Sequence, residues 1–198
     1  MAFQTFVDEP EHLGHIRAQV ERFIDEHMPR EKRIQWDREA KWPRDVYAKF
    51  NEMGFTGLAV PEEYGGAGID VIAALAVIEE LSRAGPALAG PYIQTAFYGG
   101  MNLSHNGSAE QKAEYLPRVA KGEFFLAYGL SEPDVGGDLA SVTTRAELRG
   151  DSVVINGAKR WCTGADWSDF IYCLVRSGDA NARYKNLSFV LVPTSAAG

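Results

Sequence analysis

The chain has 198 residues and a net charge of −7, and 45% of its residues are apolar. The apolar content predicts a folded core and excludes an intrinsically disordered chain. The acidic balance excludes a protein built to hold a nucleic-acid backbone, and no apolar run reaches the roughly 18 residues of a membrane-spanning helix.

The sequence shows neither a targeting signal nor a redox motif. The N-terminal sequence lacks the basic and apolar regions of a signal peptide, and Cys162 and Cys173 form no CxxC pair. We therefore expect a soluble cytoplasmic protein without a disulfide framework or a metal site. The histidines are interpreted as surface residues: His12, His15, His27 and His105.

The first 120 residues carry the spacing of amphipathic helices. Asp8 and Glu11 have capping-box spacing before a helix that ends near Pro29. Pro43 begins another helix, which ends at Gly54, because proline is favoured in the first helical turn.

Three further helical segments follow. Asp70 is placed to cap a helix through VIAALAVIEELSRA, which is apolar on nearly all sides and is predicted to lie at the centre of a bundle. Residues 87–105 form another apolar segment. Ser108 and Gln111 have capping-box spacing for a helix that Pro117 ends or kinks.

Residues 61–68, PEEYGGAG, interrupt the helices and have two interpretations. The backbone N–H groups of a glycine-rich loop can approach a phosphate. Alternatively, the glycines only allow a tight turn between helices.

The pattern changes at about residue 123. Short segments rich in β-branched and aromatic residues follow, separated by turn residues. The pair Asn156-Gly157 predicts a hairpin within SVVINGAKRW. Helices followed by strands predict an α+β chain, with a helical bundle domain at 1–121 and an antiparallel β domain at 122–198. The last strand ends in VPTSAAG, which we interpret as a cut inside a larger protein.

Common catalytic and nucleotide-binding motifs do not occur in the sequence, which leaves individual residues as candidates. Glu132, Asp134 and Asp138 in GLSEPDVGGDLAS are either an acid–base set or turn formers, and the backbone donors beside them suit an anionic ligand. Trp161 is either a core or sheet-surface residue or a ring that stacks on a planar cofactor, with the Thr163 hydroxyl beside it.

Several stretches, in the same order along nearly the whole chain, resemble the acyl-CoA dehydrogenase family. They are GFTGLAVPEEYGGAGID, EQKAEYLPRVAKGE, AYGLSEPDVGGDLAS and VTTRAELRGDSVVINGAKRWCTGADWSDFIYCLVRS. The resemblance implies an N-terminal helical domain, a middle β-barrel, and a C-terminal four-helix domain that this chain does not contain.

The resemblance also implies the chemistry. It implies FAD as cofactor and an acyl-CoA substrate, whose α-proton is removed by a carboxylate while the β-hydrogen passes as hydride to flavin N5. The base belongs to the absent C-terminal domain, so no catalytic residue is assigned and this segment alone is expected to be inactive. An electron-transfer flavoprotein as acceptor and a homodimer or homotetramer are implied as well.

Site residues are carried over from the matching motifs. The resemblance implies that one set of residues contacts the flavin, Trp161 by covering it and Thr163 near N5. These residues are Tyr128, Leu130, Ser131, Gly136, Gly137, Trp161, Cys162 and Thr163.

Two positions depart from the family pattern. Val135 replaces a small residue, and Gly137 replaces the Ser or Thr whose hydroxyl touches the cofactor or the acyl-CoA. Only a backbone contact to substrate is then expected at Gly137. Because of these departures, a flavin oxidase or monooxygenase of the same fold is an alternative interpretation. Because of the missing domain, a non-catalytic partner subunit is another.

Overall fold

A computed structural model describes residues 10–178 and 182–197 of the chain. The chain divides into two compact units, Met1–Phe124 and Phe125–Gly198. The first unit is helical and the second is built on a β-sheet.

The helical unit contains α-helices, a π-helical segment and one small β-hairpin. Its elements are α1 (Glu11–His27), α2 (Arg30–Arg38), α3 (Arg44–Asn51), β1 (Ala59–Val60), β2 (Gly68–Ile69), α4 (Val71–Ala84), α5 (Pro86–Pro91), the π-helical segment Tyr92–Gly99, α6 (Gly100–Asn106) and α7 (Ala109–Ala120).

The capping residues of α4 and α7 act as their spacing predicts. Asp70 Oδ1 accepts a hydrogen bond from the Ala73 N–H at 2.9 Å. Ser108 and Gln111 form the reciprocal capping box, with bonds of 3.2 and 2.9 Å. Helix α7 does not end at Pro117 but continues to Ala120. Asp8, the predicted cap of α1, lies outside the described residues.

Helix α4 is buried on one face only. Val77 and Leu81 are fully buried, whereas Ile72 is 58% and Leu75 41% exposed. The expected burial on nearly all sides of this helix is therefore found on one face only. The buried centre of the unit is aromatic, with Phe50 in contact with the rings of Phe23, Tyr47, Phe55 and Tyr92.

The glycine-rich loop at 61–68 is a turn between β1 and β2. Its Gly65, Gly66 and Ala67 N–H groups donate to the carbonyls of Glu62, Pro61 and Gly57. A phosphate would have to compete with these internal bonds. The alternative of a phosphate-binding loop is therefore wrong, and the glycines serve the turn.

The second unit is built on a mixed sheet. Its strands are β3 (Leu126–Gly129), β4 (Arg145–Arg149), β5 (Ser152–Asn156), β6 (Phe170–Arg176) and β7 (Leu187–Pro193). The order is β3-β6-β4-β5, with β7 on β6.

The predicted antiparallel β-barrel needs correction, because the sheet of the described residues is mixed and open. Strand β6 runs parallel to β3 and β4 and antiparallel to β7. Parallel neighbours need a long connection, and residues 130–169 provide it between β3 and β6. Segregation of helices from strands does not determine the strand direction.

The hairpin predicted at Asn156-Gly157 is also wrong. The hairpin joins β4 to β5 through Gly150 and Asp151, with Arg149 paired to Ser152. Gly157 instead has φ 153°, and a Cβ there would lie 2.6 Å from Thr144 Cα. A glycine is needed at 157 for this close backbone approach, not for a hairpin turn.

Candidate functional site

The site begins where β3 ends. Tyr128 pairs with Tyr172 of β6, and their ring centroids lie 5.4 Å apart. The Tyr172 ring stacks in turn on Phe189 at 4.3 Å. This aromatic row on one face of the sheet fixes the strand that leads into Leu130 and Ser131.

The stretches 129–135 and 157–163 lie side by side. The Arg160 N–H donates to the Ser131 carbonyl at 2.8 Å. Lys159 Nζ donates to the Leu130 carbonyl at 3.1 Å and to Glu132 Oε1 at 2.9 Å. The two stretches that carry the candidate residues are therefore hydrogen-bonded to each other.

Glu132 is a buried structural carboxylate. Besides Lys159, it accepts bonds from the Thr143 N–H and hydroxyl, both at 2.7 Å, and from the Thr144 N–H at 2.8 Å. Burial alone would raise the pKa of Glu132, but the hydrogen bonds from Thr144 and Thr143 outweigh it and hold that pKa well below its usual range. A carboxylate held in this way is not a proton acceptor at neutral pH.

Asp138 is bound within its own turn and to a neighbouring loop. Its carboxylate accepts from the Ser141 hydroxyl at 2.6 Å and from Arg183 at 2.9 Å. Together with Glu132, it is engaged in holding backbone, so the acid–base interpretation of these two residues fails.

The free donors of the site come from Ser131 and Thr163. Within the described ranges, the Ser131 N–H and hydroxyl make no hydrogen bond to protein. The Thr163 N–H donates to the Trp161 carbonyl at 2.9 Å, while its hydroxyl has no protein partner in the same part of the chain. Several donors without protein acceptors on adjoining loops fit a planar ligand rich in carbonyl and ring-nitrogen acceptors, such as a flavin.

Trp161 is neither a core residue nor a regular sheet residue. It is 76% exposed, and its φ is 61°. The Arg160 guanidinium lies 4.7 Å from the ring centroid. A bulky residue in the left-handed region is strained, and strain of this kind concentrates at functional sites. The exposed ring therefore favours the stacking interpretation over the core one.

The remaining predicted residues flank these donors. Burial raises the pKa of the Cys162 thiol, which keeps it protonated at neutral pH. Gly136 and Gly137 are exposed, and a Cβ at either would meet nothing within 4 Å. Packing therefore requires neither glycine.

Lys159 is the site residue that sequence reasoning missed. Its side chain is 9% exposed and that of Glu132 is 3% exposed. A lysine on a polar loop normally indicates a solvated charge. The pairing across 27 residues follows only from the fold.

Membrane-spanning helices and metal-binding clusters are both absent from the described ranges. None of the helices there has the length and apolar character that crossing a membrane requires. The same residues hold no group of His, Cys, Asp and Glu side chains placed to bind a metal ion.

Family models match both units of the chain. The acyl-CoA dehydrogenase N-terminal domain matches residues 10–123. The acyl-CoA dehydrogenase middle domain matches residues 127–198.

Individual proteins show the same likeness. Probable acyl-CoA dehydrogenase fadE25 of Mycobacterium leprae is 36% identical over 177 residues, which cover 89% of this chain and 44% of the relative. A solved glutaryl-CoA dehydrogenase of Mycobacterium smegmatis in complex with FADH2 is 27% identical, with TM-score 0.83, over 94% of this chain and 46% of that one. A structure described as an electron transferring flavoprotein of Acidaminococcus fermentans is 27% identical, with TM-score 0.85, over 96% of this chain and 49% of that one. The chain spans between 37% and 50% of the length of the curated relatives it matches.

Proposed function

Since the chain belongs to the acyl-CoA dehydrogenase family, we propose that it forms part of an FAD-dependent enzyme that dehydrogenates an acyl-CoA thioester between its α and β carbons. The observation that carries the proposal is the junction of the two loops through Lys159 and the Arg160–Ser131 bond. These loops carry an exposed Trp161 and donors that bond to no described residue. The helical unit and the sheet unit would be its N-terminal and middle domains.

The flavin would lie against both loops of the second unit. One loop would contact it through Ser131 and the backbone of Gly136 and Gly137, and the other through the Trp161 ring and the Thr163 hydroxyl. The remaining contacts of this proposed site are assigned to Tyr128, Leu130 and Cys162. When bound, FAD supplies the two-electron acceptor for the dehydrogenation.

The residues of this chain would bind and orient rather than transfer the substrate proton. Glu132 is held ionised by its hydrogen bonds and Asp138 is ion-paired, so neither is offered as the base. We assign the base to no residue between 1 and 198. Gly137 is proposed to contact the acyl-CoA through its backbone alone.

The partners follow from the family and remain proposals. An electron-transfer flavoprotein is the proposed electron acceptor, and the likeness to the structure from Acidaminococcus fermentans supports it. We propose a homo-oligomer that works in the cytoplasm. Light scattering on the full-length protein tests the oligomeric state, and cell fractionation tests the cytoplasmic location.

Product analysis tests the proposed reaction. The full-length protein is incubated with an artificial electron acceptor and straight-chain, branched and aromatic acyl-CoA thioesters. Mass spectrometry should find, for at least one of them, a product lacking two hydrogens. A protein that carries FAD but converts no member of the panel would overturn the proposal.

A flavin oxidase is the second candidate, and the open space around Gly137 favours it. The missing hydroxyl leaves room at that loop, where oxygen could approach a reduced cofactor. Oxygen consumption that matches product formation without any added acceptor would support the oxidase. Turnover that stops in air without an acceptor would exclude it.

A further inference from the structure

Lys159 and Glu132 form a buried ion pair at the junction of the two loops. The Nζ–Oε1 distance is 2.9 Å, and the side chains are 9% and 3% exposed. Burying two charges removes much of the stability that their attraction supplies, and apolar residues of the same volume often serve a fold equally well. A contribution to stability alone is therefore a weak explanation for the presence of this ion pair.

The second contact of Lys159 suggests another role. Its Nζ also donates to the Leu130 carbonyl at 3.1 Å. The peptide between Leu130 and Ser131 is planar and trans, so its carbonyl and its N–H point in opposite directions. With the carbonyl held by Lys159, the Ser131 N–H faces away from the ion pair, where no described residue accepts from it.

The neighbouring peptide is held in the same manner. The Ser131 carbonyl accepts from the Arg160 N–H at 2.8 Å, and the Glu132 N–H donates to the Val135 carbonyl at 2.8 Å. Among the described residues, the Ser131 N–H and hydroxyl have no protein acceptor and stay available to a ligand. Lys159 and Arg160 come directly before Trp161, so the same contacts fix both loops.

We propose that Lys159, itself fixed by Glu132, is a positioning residue that orients the Leu130–Ser131 peptide and thereby aims the Ser131 N–H at the bound flavin ring. This inference rests on the proposed function and deepens it. Glu132 holds the ammonium group in place, and the Thr143 and Thr144 bonds hold Glu132. A donor aimed at the ring stabilises the negative charge that reduction places there.

The test compares Lys159→Met with Lys185→Met in the full-length protein. Lys185 is exposed and lies in the same unit, away from the two loops in sequence, so it is the matched control. The apoprotein is titrated with FAD, and the midpoint potential of the bound flavin is measured. Loss of one aimed donor should weaken FAD binding about tenfold and move the potential to more negative values in Lys159→Met only.

A charge-balanced variant separates positioning from folding. Lys159→Met leaves Glu132 buried without its cation, whereas Glu132→Gln combined with Lys159→Met removes both charges. The double variant should recover thermal stability but not the FAD affinity or the potential. If it recovers all three, Lys159 only neutralises Glu132 and the positioning role is overturned.

A third variant covers the case in which the first two do not fold. Lys159→Arg keeps the charge but moves the donors, and it should fold with a shifted flavin potential. Wild-type affinity and potential in any folded variant at Lys159 would overturn this inference and leave the proposed function intact. Failure of the wild-type full-length protein to bind FAD would instead overturn the proposed function itself.

Discussion

Glu132 shows how one buried acid holds a loop. It accepts bonds from Thr143 and Thr144, roughly a dozen positions further along, and pairs with Lys159. A group with these partners stays ionised while buried, so its removal affects both the loop and the neighbouring cation.

Glu132→Gln should therefore destabilise the protein in a pH-dependent way. At pH 7 we expect a loss of about 3–5 kcal/mol in the free energy of unfolding, because Lys159 is left buried without its partner. The folded-state pKa lies below the ordinary value of 4.5, so the contribution of Glu132 is complete above that pH and declines as the pH falls below it. Urea unfolding of both proteins at several pH values measures the difference; a gap that stays constant down to acid pH would contradict the assignment.

Gly137 and Gly157 differ in what a side chain would meet. A Cβ at Gly137 meets nothing within 4 Å, whereas one at Gly157 would overlap Thr144. Gly137→Ser should change the free energy of unfolding by less than about 0.5 kcal/mol and should tighten acyl-CoA binding through the new hydroxyl. Thermal unfolding and acyl-CoA titration of the full-length protein measure both effects.

The matched substitution is Gly157→Ser. It should cost about 1–3 kcal/mol, because the backbone of Thr144 would have to move. Equal stability losses at 137 and 157 would show that the two glycines are not distinguished by packing.

The residue types of the site were readable from the sequence, but their partners were not. GLSEP and RWCTG carry donors and a tryptophan, but the residues alone left their role open, and the resemblance to the acyl-CoA dehydrogenase family assigned them to a flavin site. The bond from Lys159 to Leu130 depends on two loops 29 residues apart meeting in space. Local sequence patterns do not predict this contact between the two loops.

The helices illustrate which elements local chemistry determines. Caps at Asp70 and Ser108 and the amphipathic spacing act over three or four residues, so α4 and α7 were predictable. Strand direction in the sheet depends on long-range pairing, and β3 next to β6 in parallel was not predictable from alternation alone.

One buried acid links α1 to α4. Arg17 contacts both Glu79 and Glu80, at 2.6 and 2.8 Å, but the side chains are 60% and 2% exposed. Glu80 also pairs with Arg83 at 2.8 Å. The two glutamates are thus neighbours with the same partner and opposite burial.

Glu80→Ala should destabilise the protein by about 1.5–3 kcal/mol, because it removes a buried carboxylate that accepts charge-assisted hydrogen bonds from Arg17 and Arg83. Glu79→Ala, the matched control, should cost at most about 1 kcal/mol because water screens the exposed pair. Chemical denaturation gives both values, and similar losses for the two variants would contradict the role of burial.

The chain spans between 37% and 50% of the length of its curated relatives, and no residue in it is offered as the base. Residues 1–198 expressed alone should therefore show no dehydrogenase activity, measured as flavin reduction by acyl-CoA thioesters in the presence of added FAD. Reduction by this segment would contradict the placement of the base elsewhere.

Anaerobic titration of the full-length protein with acyl-CoA thioesters tests the central claim most directly. The purified protein should show the absorbance of oxidised flavin, and at least one thioester should bleach it in proportion to the amount added. Absence of flavin absorbance, or a bound flavin that no thioester bleaches, would contradict the proposal that this chain forms part of an FAD-dependent acyl-CoA dehydrogenase.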